Sequence, residues 1–150
     1  MKTLVVYYSR KGYTEQIALE KARNENADFL CLETIENTAG WNGFHNCMKY
    51  GISKKGMTLF SYDTDMEDYD KIILCSPVWC GSISAPMLEF ISRERHHIHK
   101  AEYILLHAFP GNSGAAADEM DKILRLKRDK LTDIQCVLGK ILKEEEFLND

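Results

Sequence analysis

The chain has 150 residues, a length that fits one domain and allows a buried core without disulfides or metals. Its formal net charge of -4 argues against a nucleic-acid-binding protein, which would usually carry a basic stripe. The five cysteines, an odd number without CxxC spacing, indicate reduced thiols. No apolar run is long enough for a signal peptide or a membrane span, so we expect a soluble cytoplasmic protein.

Short apolar runs alternate with amphipathic segments along the whole chain. The runs rich in β-branched and aromatic residues predict strands, and those with apolar residues three or four apart predict helices. In chain order, the predicted elements are strand 3–8, helix 14–23, strand 29–32, helix 41–53 with Phe44, Met48 and Ile52 in phase, strand 71–76, helix 86–95, strand 102–108, helix 115–127 and strand 132–138.

This alternation predicts a single α/β domain, residues 1–150, whose parallel sheet is covered by helices on both faces. Right-handed crossovers then favour the doubly wound five-stranded order 2-1-3-4-5. Residues 140–150 could form only one or two helical turns, so we expect the final helix to be short or missing. The sheet face left open would be covered by a second copy, giving a homodimer, or by an unusual packing of the C-terminal segment.

The loop after the first predicted strand carries groups suited to an anion. Ser9 and Thr14 supply hydroxyls, Arg10 and Lys11 supply positive charge, and Gly12 allows a tight backbone turn. The loop also opens a helix, whose free N–H groups favour a phosphate. The alternative is an ordinary turn between a strand and a helix, with Ser9 or Thr14 as its cap.

Two further loops follow the third and fourth predicted strands. In residues 77–81, Trp79 can stack on an aromatic ligand, or simply pack over the sheet edge. In residues 107–114, glycines allow close backbone approach, and Phe109 forms either a second pocket wall or part of the core. Because all three loops end strands of one parallel sheet, they should meet at one edge and bind a flat ring joined to a phosphate.

Over nearly its whole length, the chain resembles the flavodoxin family, in particular short flavodoxin-like FMN-binding proteins. Residues 5–14 are similar to the family's first strand and phosphate loop, and residues 69–86 to its third strand and flavin-flanking loop. Residues 107–114 correspond in position to its third flavin-binding loop. The chain departs from the family at Lys11, where a Thr usually precedes the Gly, and in its truncated end.

The resemblance implies a cofactor, FMN, and a role for each loop. Ser9, Gly12, Tyr13 and Thr14 would hold the phosphate, with Arg10 or Lys11 neutralising it. The residues expected at the ring are Pro77, Val78, Trp79, Cys80, Gly81, Phe109, Gly111 and Gly114. Trp79 and Phe109 would sandwich the ring, and the backbone at the cysteine and the glycines would contact its edge. No catalytic acid, base or nucleophile stands out.

Three functions are compatible with these residues. The first is a flavodoxin-like electron-transfer protein that exchanges electrons with redox partner proteins or small acceptors. The second is an FMN-dependent oxidoreductase, of the quinone reductase or protoporphyrinogen oxidase type. The third is a binding module that has lost FMN, an interpretation supported by Lys11 and opposed by the Trp79 loop.

Two charged segments carry weaker signals. The histidines of residues 93–100 match no established zinc spacing and are typical of cations at a helix C-terminus. The acidic residues 62–70 could dock a basic partner, but a charge run before a strand is more typical of a solvated loop. We therefore expect no metal site.

Overall fold

A computed structural model describes residues 1–149 as seven strands, four α-helices and one short 3₁₀ helix. The elements are β1 (Thr3–Tyr7), α1 (Tyr13–Asn24), β2 (Asp28–Cys31), α2 (Gly40–Ser53), a 3₁₀ helix (Met66–Asp68), β3 (Lys71–Trp79), β4 (Ser82–Ile83), α3 (Ala85–Glu94), β5 (Ala101–His107), α4 (Gly114–Leu124), β6 (Lys130–Val137) and β7 (Lys140–Leu148). Every predicted helix and strand is present, with its ends shifted by a few residues.

The main sheet runs in the order β2-β1-β3-β5-β6-β7. Its first five strands are parallel, and they reproduce the predicted order 2-1-3-4-5. The registers Val5↔Ile73 and Ile73↔Glu102 align the central strands, so that β1, β3 and β5 end at the same edge. The loops that follow these strands therefore meet at that edge, as the sequence predicted.

Alternate side chains of the central strands enter two apolar layers. On one face, Leu74 and Tyr103 pack with the helices α3 and α4, whose Phe90 and Met120 are fully buried. On the other face, Ile73 and Ile104 pack with α1. This division fixes the parallel strands in one register, because a one-residue slip would move each side chain to the opposite face.

The final helix is missing, which agrees with the expectation that it would be short or missing, and the C-terminal segment is instead a strand that the sequence did not predict. Residues Lys140–Leu148 pair antiparallel with β6 across the turn at Leu138 and Gly139, both of which have positive φ. Pairing with the preceding strand thus decides the structure of a segment too short for a stable helix. The strand extends the sheet and leaves the α1 face without a second helix.

Charged side chains occupy part of the face that lacks this helix. Glu102 of β5 is 5% exposed and lies 3.1 Å from Lys21 Nζ, 3.5 Å from Lys71 Nζ and 3.4 Å from Lys130 Nζ. Beside this cluster, Ile104 and Ile134 are buried within one copy of the chain. A groove of about 210 Å³ still lies between α1 and β7.

The predicted loop at residues 77–81 is the tip of a β-hairpin. β3 continues to Trp79, which pairs with Ser82 of β4 across Cys80 and Gly81. Both turn residues have positive φ, 51° and 80°, as in the tight turns that connect hairpin strands. The hairpin holds Trp79 on an ordered strand instead of a free loop.

Candidate functional site

A cavity of about 360 Å³ opens at the carboxyl edge of the sheet, where the three loops meet. Ten of the fourteen predicted ligand-binding residues line it: Ser9, Arg10, Lys11, Tyr13, Thr14, Pro77, Val78, Trp79, Cys80 and Phe109. The other four, Gly12, Gly81, Gly111 and Gly114, lie in the same loops but outside the cavity lining. The volume lies within the range usual for cofactor sites.

Seven residues that the sequence did not single out also line the cavity: Phe44, Cys47, Met48, Leu106, His107, Ala108 and Cys136. Leu106 directly precedes the third loop, and His107 and Ala108 begin it, so their position at the end of β5 could have indicated them. The α2 residues carry no such signal, because only the packing of α2 beside the hairpin brings them to the cavity.

The N-terminus of α1 forms one end of the cavity. Gly12 caps the helix with φ +95°, and no side chain caps it. The Gly12 N–H donates to Ser9 Oγ at 2.9 Å, which folds the loop over the helix start. Within residues 1–149, the N–H groups of Tyr13 and Thr14 have no acceptor. These N–H groups and the helix dipole suit an anion such as phosphate.

The two cations of this loop have different positions. The Arg10 guanidinium donates to the carbonyls of Thr38 and Gly40, each at 2.8 Å, and lies 5.6 Å from the centre of the Phe44 ring. It therefore ties the loop to the start of α2. Lys11 lines the cavity and has no ion-pair partner within residues 1–149, so its ammonium is available to a ligand.

Trp79 forms an aromatic wall of the cavity. Its ring meets the Tyr8 ring edge-on, with centroids 5.6 Å apart and planes at 88°. Behind it, α2 presents Gly51, where an added Cβ would lie 3.0 Å from Trp79 Cβ. Phe109 stands on the opposite loop and is 84% exposed, so it can cover a bound ring. This largely apolar surface suits a flat aromatic group.

A buried carboxylate holds the third loop against β6. Asp133 is fully buried and accepts hydrogen bonds from Ser113 N–H at 2.7 Å, from Ser113 Oγ at 2.5 Å and from His107 Nε2 at 3.0 Å. Burial alone would raise the pKa of Asp133, but the hydrogen bonds from Ser113 and His107 outweigh it and hold the pKa below its usual value. Asp133 is therefore a carboxylate at neutral pH.

Both ring nitrogens of His107 face oxygens that can only accept. Nδ1 lies 2.7 Å from the Phe109 carbonyl, and Nε2 lies 3.0 Å from the Asp133 carboxylate. Each contact is a hydrogen bond when the nitrogen concerned carries a proton, so His107 is held between the loop backbone and β6. The hydrogen bond to the Asp133 carboxylate is charge-assisted, and it holds His107 in the cavity wall.

Three of the five free thiols line the cavity: Cys47, Cys80 and Cys136. Burial raises the pKa of the Cys47 thiol, which makes it a poor nucleophile. Elsewhere, Cys75 is buried in the central strand β3, and Cys31 is exposed on the edge strand β2.

The weaker sequence signals meet at another part of the surface. Glu67 from the acidic segment accepts from His97 and His99 at 3.3 and 3.2 Å. The described part of the chain, residues 1–149, contains no group of three or more side chains able to hold a metal ion. Over the same residues, no helix is long and apolar enough to cross a membrane.

Solved structures with this fold include several flavoproteins. A provisionally assigned flavoprotein from Bacteroides eggerthii has a TM-score of 0.71 at 17% identity, covering 93% of this chain and 89% of that one. A flavoprotein from Lactobacillus acidophilus in complex with FMN has a TM-score of 0.66 at 19% identity, with 85% and 89% covered. A Streptococcus pneumoniae flavodoxin has a TM-score of 0.50 at 15% identity, with 86% and 80% covered.

No protein-family model and no curated protein sequence matches the chain. At these identities the structural likeness defines the fold, which is flavodoxin-like. The order β2-β1-β3-β5-β6 and the position of the cavity at the ends of β1, β3 and β5 agree with that fold.

Proposed function

We propose that the protein binds FMN in the cavity at the carboxyl edge and acts as a flavodoxin-like electron-transfer protein. The main support is one observation: one cavity joins the N-terminus of α1, where residues 1–149 provide no side-chain cap, to a largely apolar wall containing Trp79. FMN has the matching chemistry, a phosphate at one end and a flat ring at the other. The FMN-bound flavoprotein of similar fold supports the same choice of cofactor.

Different residues of the chain would bind the phosphate and the ring of FMN. The N–H groups at Tyr13 and Thr14, the Thr14 hydroxyl and the Lys11 ammonium would hold the phosphate. Trp79 and Phe109 would enclose the ring and exclude water from it. FMN would supply the electron chemistry, while the protein supplies position and electrostatics. Arg10 would act indirectly, by holding the phosphate loop against α2.

An FMN-dependent oxidoreductase, of the quinone reductase or protoporphyrinogen oxidase type, is a second candidate. The position of His107 favours it, because an imidazole in the cavity wall can take up or donate a proton. Steady turnover of NAD(P)H with a quinone would favour the enzyme. Electron exchange with proteins alone would favour the carrier.

Pairing of two copies through the α1 face stays a proposal. The groove between α1 and β7 contains Ile17, Ile104 and Ile134, and Ile141 on its wall is 47% exposed. Sedimentation equilibrium of the wild type and of Ile141→Lys would test it. A dimer that the substitution dissociates would support the proposal, and a wild-type monomer would contradict it.

The function is tested by titrating the purified protein with FMN while following flavin fluorescence and the visible spectrum. Stacking on Trp79 should quench the fluorescence at a ratio of one FMN to one chain. The absence of binding at micromolar FMN would instead favour the binding module that has lost the cofactor. Riboflavin, which lacks the phosphate, is the matched ligand control.

A further inference from the structure

The helix α2 exposes an unusual apolar stripe. Trp41, Phe44, Met48 and Ile52 lie on one face, and their exposed fractions are 75%, 42%, 41% and 69%. The periodicity that predicted this helix came from Phe44, Met48 and Ile52, yet the buried face consists of Gly43, Cys47 and Gly51. Small residues let α2 pack closely on Trp79, so its large side chains face outward.

The stripe is ordered and continuous with the cavity. Trp41 stacks on Phe44 with ring centroids 5.8 Å apart and planes at 25°, while Arg10 lies near the same Phe44 ring. Phe44 and Met48 also line the cavity. On the other side of the cavity opening, which we call the mouth, Phe109 is 84% exposed. An exposed apolar patch of this kind indicates an interaction surface.

The charge around this surface is opposite to that of the whole protein. The chain has 23 acidic and 19 basic residues, yet residues 40–56 contain three lysines and no acid. The loops 8–14, 77–85 and 107–114 also lack acids, and 8–14 adds Arg10 and Lys11. Lys49 is exposed beside the stripe, whereas Lys54 is paired with Glu119 at 2.8 Å. The mouth therefore combines an apolar centre with a cationic rim.

We propose that the surface formed by Trp41, Phe44, Met48, Ile52 and Phe109, with Arg10 and Lys49 at its rim, docks a small acidic redox protein. The inference rests on the proposed function, because it places the partner at the edge of the flavin cavity. Tryptophan is enriched among the residues that dominate binding energy at protein interfaces. The cationic rim selects an acidic partner and speeds their encounter.

The test uses a plant-type ferredoxin, a small acidic iron–sulfur protein, as the probe. Calorimetry at about 20 and about 200 mM salt measures its affinity for the wild type, with and without FMN. We expect binding that weakens about tenfold or more at the higher salt concentration. NMR of the ¹⁵N-labelled chain locates the probe, and the perturbed signals should lie in residues 41–52 and at Phe109.

Matched variants distinguish the loss of a contact on the proposed surface from a general effect of substitution on ferredoxin binding. Trp41→Ala and Lys49→Glu should each weaken ferredoxin binding about tenfold, since the first removes an aromatic contact and the second reverses a rim charge. Leu148→Ala, at a residue of 72% exposure on β7, and Lys127→Glu, at an exposed lysine near the start of β6, should leave it unchanged. None of these four residues lines the cavity, so FMN affinity should be the same in all of them.

Several outcomes would overturn the proposal. They are no ferredoxin binding at low salt, perturbed signals on another face, or equal losses in the variants and their controls. If the NMR signals of residues 41–52 shift with protein concentration in the absence of ferredoxin, the surface binds a second copy of the chain instead. Because calorimetry is also run without FMN, failure to bind the cofactor would be seen separately from failure to bind the partner.

Discussion

His107 and Asp133 form a buried pair that joins the third loop of the cavity to β6. Their Nε2 and Oδ2 atoms are 3.0 Å apart, and the other imidazole nitrogen holds the Phe109 carbonyl at 2.7 Å. Since Ser113 bonds the same carboxylate, one side chain fixes both ends of residues 107–113. Asp133 is thus a positioning residue, and its effect on a ligand acts through the loop.

Asp133→Asn should loosen this loop and destabilise the fold. The amide cannot accept as many charge-assisted bonds, so we expect a loss of about 2 kcal/mol in the free energy of unfolding. FMN affinity should fall as well, because Phe109 is no longer held. Urea denaturation and FMN titration measure the two effects. Asp129→Asn, which removes an exposed carboxylate at the opposite edge, is the control.

The Asp133 carboxylate should also make the free energy of unfolding depend on pH, with stability lost on acidification. The pKa of Asp133 is lower in the folded chain than in the unfolded one, so its contribution is present above about pH 4. It is lost as the pH falls through the folded-state pKa. The gap in stability between wild type and Asp133→Asn should therefore narrow on acidification, and a gap that widens would contradict the assignment.

Lys11→Ala should discriminate between FMN and riboflavin. If the ammonium pairs with the phosphate, its removal should weaken FMN binding by about tenfold and leave riboflavin binding unchanged. Fluorescence titration with both ligands measures the difference. Equal losses for the two ligands would place Lys11 away from the phosphate. Lys127→Ala serves as the control for a change in net charge.

Gly51→Ala should move the aromatic wall of the cavity. The added Cβ would come within 3.0 Å of Trp79 Cβ and 3.2 Å of its carbonyl oxygen, so α2 or Trp79 must shift. Alanine is otherwise the better helix former by about 1 kcal/mol. We expect weaker FMN binding with little change in stability. Ser53→Ala, at an exposed position of the same helix, should leave binding intact.

Glu102→Gln should destabilise the chain without affecting the cofactor site. Three lysines lie within 3.5 Å of this buried carboxylate and would lose their common partner. Removing one member of such a cluster costs about 3 kcal/mol. Thermal or urea denaturation should detect the loss, while FMN affinity stays the same. If the Glu102→Gln variant is as stable as the wild type, the three lysines do not need the Glu102 carboxylate, and the prediction is wrong.

The parts of the fold that depend on local sequence patterns could be predicted from the sequence. The five parallel strands and the convergence of residues 9–14, 77–81 and 107–114 follow from alternating periodicities and from topology rules. The strand at 140–148 was missed because Leu138-Gly139 is not the Asn-Gly or Asp-Gly pair typical of a hairpin turn, and lysine and glutamate are uncommon in strands. The outward stripe of α2 was missed because small residues, not large ones, form its packed face.

NMR of the ¹⁵N-labelled protein during an FMN titration tests the central claim most directly. We predict saturation at one FMN per chain, with the largest shifts at the Tyr13 and Thr14 amides, the Trp79 indole and the Phe109 amide. Unchanged spectra at micromolar to millimolar FMN, or shifts confined to β7 or the α1 groove, would contradict an FMN site at this edge of the sheet.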